Sequence, residues 1–400
     1  MTVRRTLPLL TALAAAIAFP AAACAARIVT LDGPQVSQSR FVDPSEASQG
    51  YYNEPPGIAD RANALKADVY LPTGYASHSS RRYPVLFLLH GHGDAYDSWP
   101  NPDQGDLMRT AEGFSGIIVM PEGDHGWYTN WWNGGKRRDP AWERYHLDQL
   151  IPFVEDRFRI RPRRRWHAIA GLSMGGEGTM FYAAQRPGYF GSAASFSGTL
   201  SIQRPEYQQA FDQANGEPSH EIWGDPQAQQ FYWAGHNPLK LTDNLRFTRL
   251  FVSVGDGVPD PTDPEEVQNT FGQVAEAEIH QMANDFVPAA RSAGAHVVYQ
   301  EHQGIHAWRY WRMDLQHAIG WGLFKRPSTP HRHWTYRTVA TVGTMWGLHF
   351  RFAKPPDKLE TFKREGRTLS GEGSGTVAIR TGDGRHFVAK LPFARSLPGG

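Results

Sequence analysis

The chain has 400 residues, 40% hydrophobic and 20% charged, enough to bury a core larger than most single domains need. Its 41 basic and 40 acidic side chains leave a net charge of +1, so no broad field draws nucleic acid or an anionic membrane. The expected partner is a small or neutral molecule.

Arg4 and Arg5, an apolar run over 7–19 and a small-residue stretch over 21–26 form the three-part pattern of a secretory signal, assigned to residues 1–25. The run is too short to span a bilayer, so no transmembrane segment is expected, and the protein is read as secreted or periplasmic. Cys24, the single cysteine, falls at the cleavage region. Lipid anchoring there is the alternative; without it the mature chain has no thiol, and its core must hold the fold without disulfides.

Residues 83–90 and 116–120 are nearly all apolar and suit central parallel strands buried on both faces. A short helix fits 106–111 between them. Over 143–158, Leu147, Leu150, Ile151, Val154 and Phe158 recur at helical spacing. Strands follow at 166–170, 190–197 and 249–254, with a last short one at 297–299. Strands alternating with helices imply a doubly wound, mostly parallel sheet over residues 26–325. The polar stretch 201–245 reads as an inserted excursion. A linker is placed at 326–333, and a small antiparallel β module of unassigned role at 334–400, with a hairpin signal around Thr381-Gly-Asp-Gly384.

The most informative segment is Trp166-His-Ala-Ile-Ala-Gly171-Leu-Ser173-Met-Gly175-Gly176, which reads as strand, sharp turn and helix with a serine at the apex. Gly171 and Gly175 remove Cβ atoms that would collide where strand and helix close over the turn. Such a serine is a weak nucleophile until a base takes its proton, and in a strand–turn–helix site the base comes late in the chain. Of His280, His302, His306, His317, His331 and His333, His306 is selected, because Gly304-Ile-His306 follows the last strand in a loop that opens a helix. The acid stays open among Asp256 and Asp260, just after a strand, and Glu276 and Glu278 at the start of the next helix. Negative charge on the transition-state oxygen calls for two backbone donors, assigned to the amides of Met174 and His92. Of the tryptophans near these segments, Trp131 and Trp308 are assigned to substrate contact. The acidic loop lacks the alternation of a calcium loop, and His90 with His92 lacks a third ligand, so no metal and no cofactor is expected.

The blocks Leu88-Leu-His-Gly-His-Gly-Asp94, Met120-Pro-Glu-Gly123, Trp127-Tyr-Thr-Asn-Trp131, Gly171-Leu-Ser-Met-Gly-Gly176 and Gly304-Ile-His-Ala-Trp-Arg-Tyr-Trp311 resemble the esterase D-like branch of the α/β hydrolases, in particular the secreted antigen 85 mycolyltransferases. The resemblance implies Ser173 as nucleophile, His306 as base, and the His92 and Met174 amides as oxyanion hole. It favours Glu276 as the acid over Asp256 and Asp260, since Glu276 stands ten residues before Phe286 as the family's glutamate stands before an aromatic. Where those mycolyltransferases hold trehalose with an arginine and an aspartate, this chain has His90 and Gly93. The expectation is an exported serine esterase acting on a small-molecule or lipid ester. The alternatives are an acyltransferase passing the acyl chain to a sugar or glycerol, and a non-catalytic glycan- or lipid-binding protein.

Overall fold

The computed structural model describes residues 25–31, 66–135, 140–215 and 219–397. The signal segment and Cys24 lie outside them. The first eight strands form one sheet in the order β1-β2-β4-β3-β5-β6-β7-β8. They are β1 (Arg27–Leu31), β2 (Ala67–Leu71), β3 (Val85–Leu89), β4 (Ile117–Pro121), β5 (His167–Leu172), β6 (Ser192–Phe196), β7 (Arg249–Gly255) and β8 (His296–His302). From β4 to β8 neighbouring strands run parallel, while β1 and β2 pair antiparallel at one edge. This is the mixed α/β architecture expected, with its strands extended at the far edge, where β8 is four residues longer than the short strand predicted.

Helices on both faces explain why β3 and β4 are apolar throughout: all five residues of each are buried. One face carries Phe87, Val119, Ile169, Met180 and Phe181, the other Leu86, Leu88, Ile118, Phe196 and Leu315. The predicted helix over 143–158 forms as Trp142–Arg144 and Ile151–Arg157 flanking a π-helical segment, Tyr145–Leu150. The excursion at 201–245 is helical, built from Pro205–Asn215, Ser219–Ile222, Gln230–His236 and the 3-10 turn Pro238–Leu245. Its aromatic side chains Trp223 and Trp233 are fully buried, which accounts for the tryptophans of a stretch otherwise polar.

After the helix Trp308–Trp321 come β9 (His333–Thr338), β10 (Val342–Met345), β11 (Leu348–Phe352), β12 (Glu360–Glu365), β13 (Thr368–Glu372), β14 (Thr376–Thr381), β15 (His386–Lys390) and β16 (Phe393–Ser396). They make two four-stranded antiparallel sheets, β10-β11-β14-β15 and β16-β13-β12-β9. Tyr336, Phe350, Phe362, Val377 and Ile379 fill the space between them. Phe247, just before β7, belongs to this same apolar cluster, so the second core is closed by a residue of the first unit.

Candidate active site

Chain polarity puts the C-terminal ends of β5, β6, β7 and β8 side by side, and the loops leaving them carry the reactive groups. At the end of β5, Ser173 adopts φ 52° and ψ −121°, after which the elbow helix Met174–Gln185 begins. A positive φ at a non-glycine apex is strained, and it is held by the crowding around it. A Cβ on Gly175 would stand 2.4 Å from the His90 carbonyl oxygen, and one on Gly171 2.4 Å from the Gly175 carbonyl oxygen. Only hydrogen fits at either position.

The Ser173 Oγ lies 2.8 Å from His306 Nε2, and His306 Nδ1 lies 2.7 Å from Glu276 Oε2. His306 is anchored by its own N–H, which donates to the Gly272 carbonyl at 3.0 Å, and its ring meets the Trp311 indole edge-on at 4.8 Å. Glu276 is completely buried on the long helix Thr270–Ser292. Its second oxygen accepts from the Ser197 hydroxyl and the Gly255 N–H, each at 2.7 Å. Three donors on one carboxylate compensate its removal from water and fix its orientation. The Trp311 Nε1–H in turn donates to Ser197 Oγ at 3.1 Å, so one tryptophan braces both the His306 imidazole and the support of the Glu276 carboxylate.

The helix bearing Glu276 starts at Thr270, six residues earlier than the sequence reading, which put Glu276 at its opening. Asp256 and Asp260 are placed away from the imidazole. Asp256 accepts from the Val258 and Gly304 N–H groups, and Asp260 accepts from Thr262 and pairs with Arg309. Both short side chains bond within their own loop and to Gly304 or Arg309, and the longer glutamate reaches the imidazole from the neighbouring helix.

The loop after β3 lies against Ser173, where a Cβ on Gly91 would stand 3.3 Å from the Ser173 Cβ. Asp94 closes that loop by accepting from the Gly91 N–H at 3.2 Å and from the Gln104 amide at 3.0 Å. Burial pushes its carboxyl above the ordinary range. His92 sits in this turn, its ring 4.2 Å from the His125 ring. Beneath it, the Gly123 N–H donates to His90 Nε2 and the Tyr128 hydroxyl to the His90 carbonyl. His146 donates from Nε2 to the Glu122 carbonyl at 2.7 Å and accepts the Tyr182 hydroxyl at Nδ1; burial pushes its pKa down to about 3. On the elbow helix, burial pushes the Glu177 carboxyl well above its usual range, against the hydrogen bond it accepts from the Thr199 hydroxyl at 2.8 Å.

Trp308 is half-buried beside His306 and meets Trp99 and Trp311 edge-on at 5.0 and 5.4 Å. Trp131 requires a correction. It is 2% exposed, its indole N–H donates to the Gly126 carbonyl, and it packs in the core under the loop, which removes it from substrate contact. Sequence reasoning overlooked Ser197 and Asp94. Ser197 directly follows a buried strand, at the carboxyl edge where such sites gather, and that position was its available signal. Among the described residues no cluster of three His, Cys, Asp or Glu side chains is placed to hold a metal.

A serine at a strained elbow, hydrogen-bonded through a histidine to a buried carboxylate on such a sheet, defines the α/β-hydrolase class of serine enzymes. The chain belongs to the family described as "Putative esterase", whose family model matches residues 62–321. Esterase Rv1288 of Mycobacterium tuberculosis is 35% identical over 263 residues, 63% of this chain and 55% of that protein. The chain thus spans about half the length of that relative. Diacylglycerol acyltransferase/mycolyltransferase Ag85A of Mycobacterium ulcerans is 27% identical over 262 residues, 59% of this chain and 74% of that one. Among solved structures, FphF of Staphylococcus aureus, a fluorophosphonate-binding serine hydrolase, aligns with a TM-score of 0.52 at 19% identity, over 75% of this chain and 99% of its own. MPT51 (FbpC1) of Mycobacterium tuberculosis aligns with a TM-score of 0.51 at 24% identity, over 66% and 96%. At these identities the two structures speak for the fold alone.

Proposed function

We propose that the protein is an exported serine esterase that cleaves carboxylic esters through an acyl-serine intermediate. The observation that carries this reading is the unbroken relay from Ser173 Oγ through His306 to Glu276, at 2.8 and 2.7 Å. His306 Nε2 takes the Ser173 proton as Oγ attacks the ester carbonyl, and the oxygen turned anionic is met by the Met174 and His92 amides. The imidazolium, steadied by Glu276, then protonates the leaving alcohol. Water, deprotonated by the same imidazole, attacks the acyl-serine, and Ser173 leaves with the proton returned. Trp308 would line the approach to the ester. The signal-like pattern of the N-terminal sequence supports the export assignment.

Release of nitrophenol from p-nitrophenyl butyrate by the purified protein and by Ser173→Ala tests the chemistry. Turnover that vanishes in the variant supports the reading, and turnover that survives it sinks it. The likeness to Ag85A favours one second reading, in which an alcohol replaces water as acceptor. With trehalose or glycerol added, an acylated acceptor forming faster than free acid would make the protein a transferase.

A further inference from the structure

Large hydrophobic side chains on the surface of the described residues are few, and they are not spread evenly. Four of the seven fall within one segment beside the triad: Val258, Val267, Phe271 and Val274, exposed by 51, 49, 66 and 65%. Phe271 and Val274 are three residues apart on the first turns of the helix Thr270–Ser292 and so share a face. The Gln273 amide on that turn donates to the Glu266 and Val267 carbonyls, drawing the short helix Pro264–Gln268 alongside. Gly257 packs against Gln273 and Ala277, which brings Val258 to the same turns. Single exposed apolar residues need no explanation, but a gathered patch of this kind marks a contact surface.

Its position is specific. Phe271 immediately precedes Gly272, whose carbonyl holds the His306 N–H, and Val274 stands two residues before Glu276. Phe271 and Val274 share two turns of one helix with the triad acid, on its outer face while Glu276 is on the buried one. Its charge narrows the partner further. Residues 256–278 contain seven acids, Asp256, Asp260, Asp263, Glu265, Glu266, Glu276 and Glu278, with no lysine or arginine. Arg309, from the following helix, pairs with Asp260, Asp263 and Glu266, and Arg204 pairs with Glu278; Asp256 and Glu265 remain exposed. An acidic rim repels anionic headgroups, whereas an apolar centre favours a surface without charge.

The geometry points to an interfacial docking surface at Val258, Val267, Phe271 and Val274 that seats the protein on aggregated, uncharged acyl esters, such as a neutral lipid emulsion. This deepens the esterase reading and rests on it. Docking would raise the local ester concentration at Ser173 without altering the chemistry.

Two measurements separate docking from chemistry. The full-length protein and Phe271→Gln/Val274→Gln are compared on soluble p-nitrophenyl butyrate and on an emulsion of tributyrin. The variant is expected to keep soluble-ester kcat/KM within about twofold and to lose at least about tenfold on the emulsion, since burying two such side chains sets the interfacial affinity. Equal losses on both substrates, or none on the emulsion, would overturn the proposal. In parallel, Ser173→Ala is sedimented with vesicles of phosphatidylcholine and of phosphatidylcholine mixed with phosphatidylglycerol. Binding to the neutral vesicles that the glutamine pair abolishes supports docking; no binding, or binding only to the anionic ones, refutes it. Because that arm uses the variant without its nucleophile, a failure of the esterase reading shows as no nitrophenol release while docking is still judged.

Discussion

Glu276 shows how completely one side chain depends on its surroundings. Its three hydrogen bonds come from Ser197, Gly255 and His306, residues 79, 21 and 30 positions away. Glu276→Gln puts an amide where the imidazolium needs a charge, and turnover of p-nitrophenyl butyrate is expected to fall by about 10³ to 10⁴. Asp256→Asn, which touches only its own loop and Gly304, is expected to stay within about tenfold. Ser197→Ala removes one donor to the carboxylate and the acceptor of the Trp311 indole; at about 1–2 kcal/mol, kcat should drop roughly 5- to 30-fold with little change in KM. A different buried group contributes to acid stability. His146, held at about 3 against an ordinary 6.5, is neutral in the folded protein and would charge on unfolding. Between those values the unfolded chain binds the extra proton, so stability present above pH 6.5 is lost as pH falls toward 3, by about 1.4 kcal/mol per pH unit. Urea midpoints of the protein and of His146→Gln, followed from pH 7 to pH 4, should diverge with that slope.

At the scale of elements, the elbow is the most constrained piece. Its strand, strained apex and helix were legible because glycines bracket Ser173 and the hydrophobic period changes from buried strand to helix across it. Gly175→Ala sets a methyl group against the His90 and Leu89 carbonyls, contacts of 2.4 and 2.8 Å that backbone cannot relieve. Thermal or urea unfolding should show a loss of about 3 kcal/mol or more, or no soluble protein. The helix with Glu276 was less legible. Its start carries few apolar residues, Phe271 and Val274 face outward, and Asn269 caps it through the Gly272 N–H, seven residues before Glu276. The excursion at 201–245 resisted reading for a related reason: its polar composition hides Trp223 and Trp233, which are buried only because the helices fold back over the elbow side of the sheet.

Across the whole molecule, two cores are joined by backbone as well as side chains. Asn244 donates to the Arg337 carbonyl and accepts the Arg337 N–H, both at 2.8 Å, so one side chain pairs with β9 as a strand would. Val339 packs on Gly235, and Phe247 completes the C-terminal core. Removing residues 326–400 would uncover Phe247 and the surface beneath Val339. Calorimetry of the full chain should show a single transition, and the truncated chain should melt lower or aggregate; an unchanged melting temperature would show the C-terminal sheets to be an independent appendage.

The sequence by itself determined the fold class and pointed to Ser173 and His306. Apolar strands of fixed length, a glycine-bracketed apex and a histidine opening a late helix are local patterns, set by backbone sterics and hydrophobic period. It could not choose among carboxylates by the same means. Asp256 and Asp260 follow a strand as a partner for histidine should, and only the packing of a long helix across β7 and β8 brings Glu276, rather than either aspartate, to the imidazole. Trp131 and Trp308 look alike in sequence, each in an aromatic cluster near the site. Tertiary packing decided that one is sealed in the core and the other stands beside His306, because burial depends on which distant elements close over a side chain.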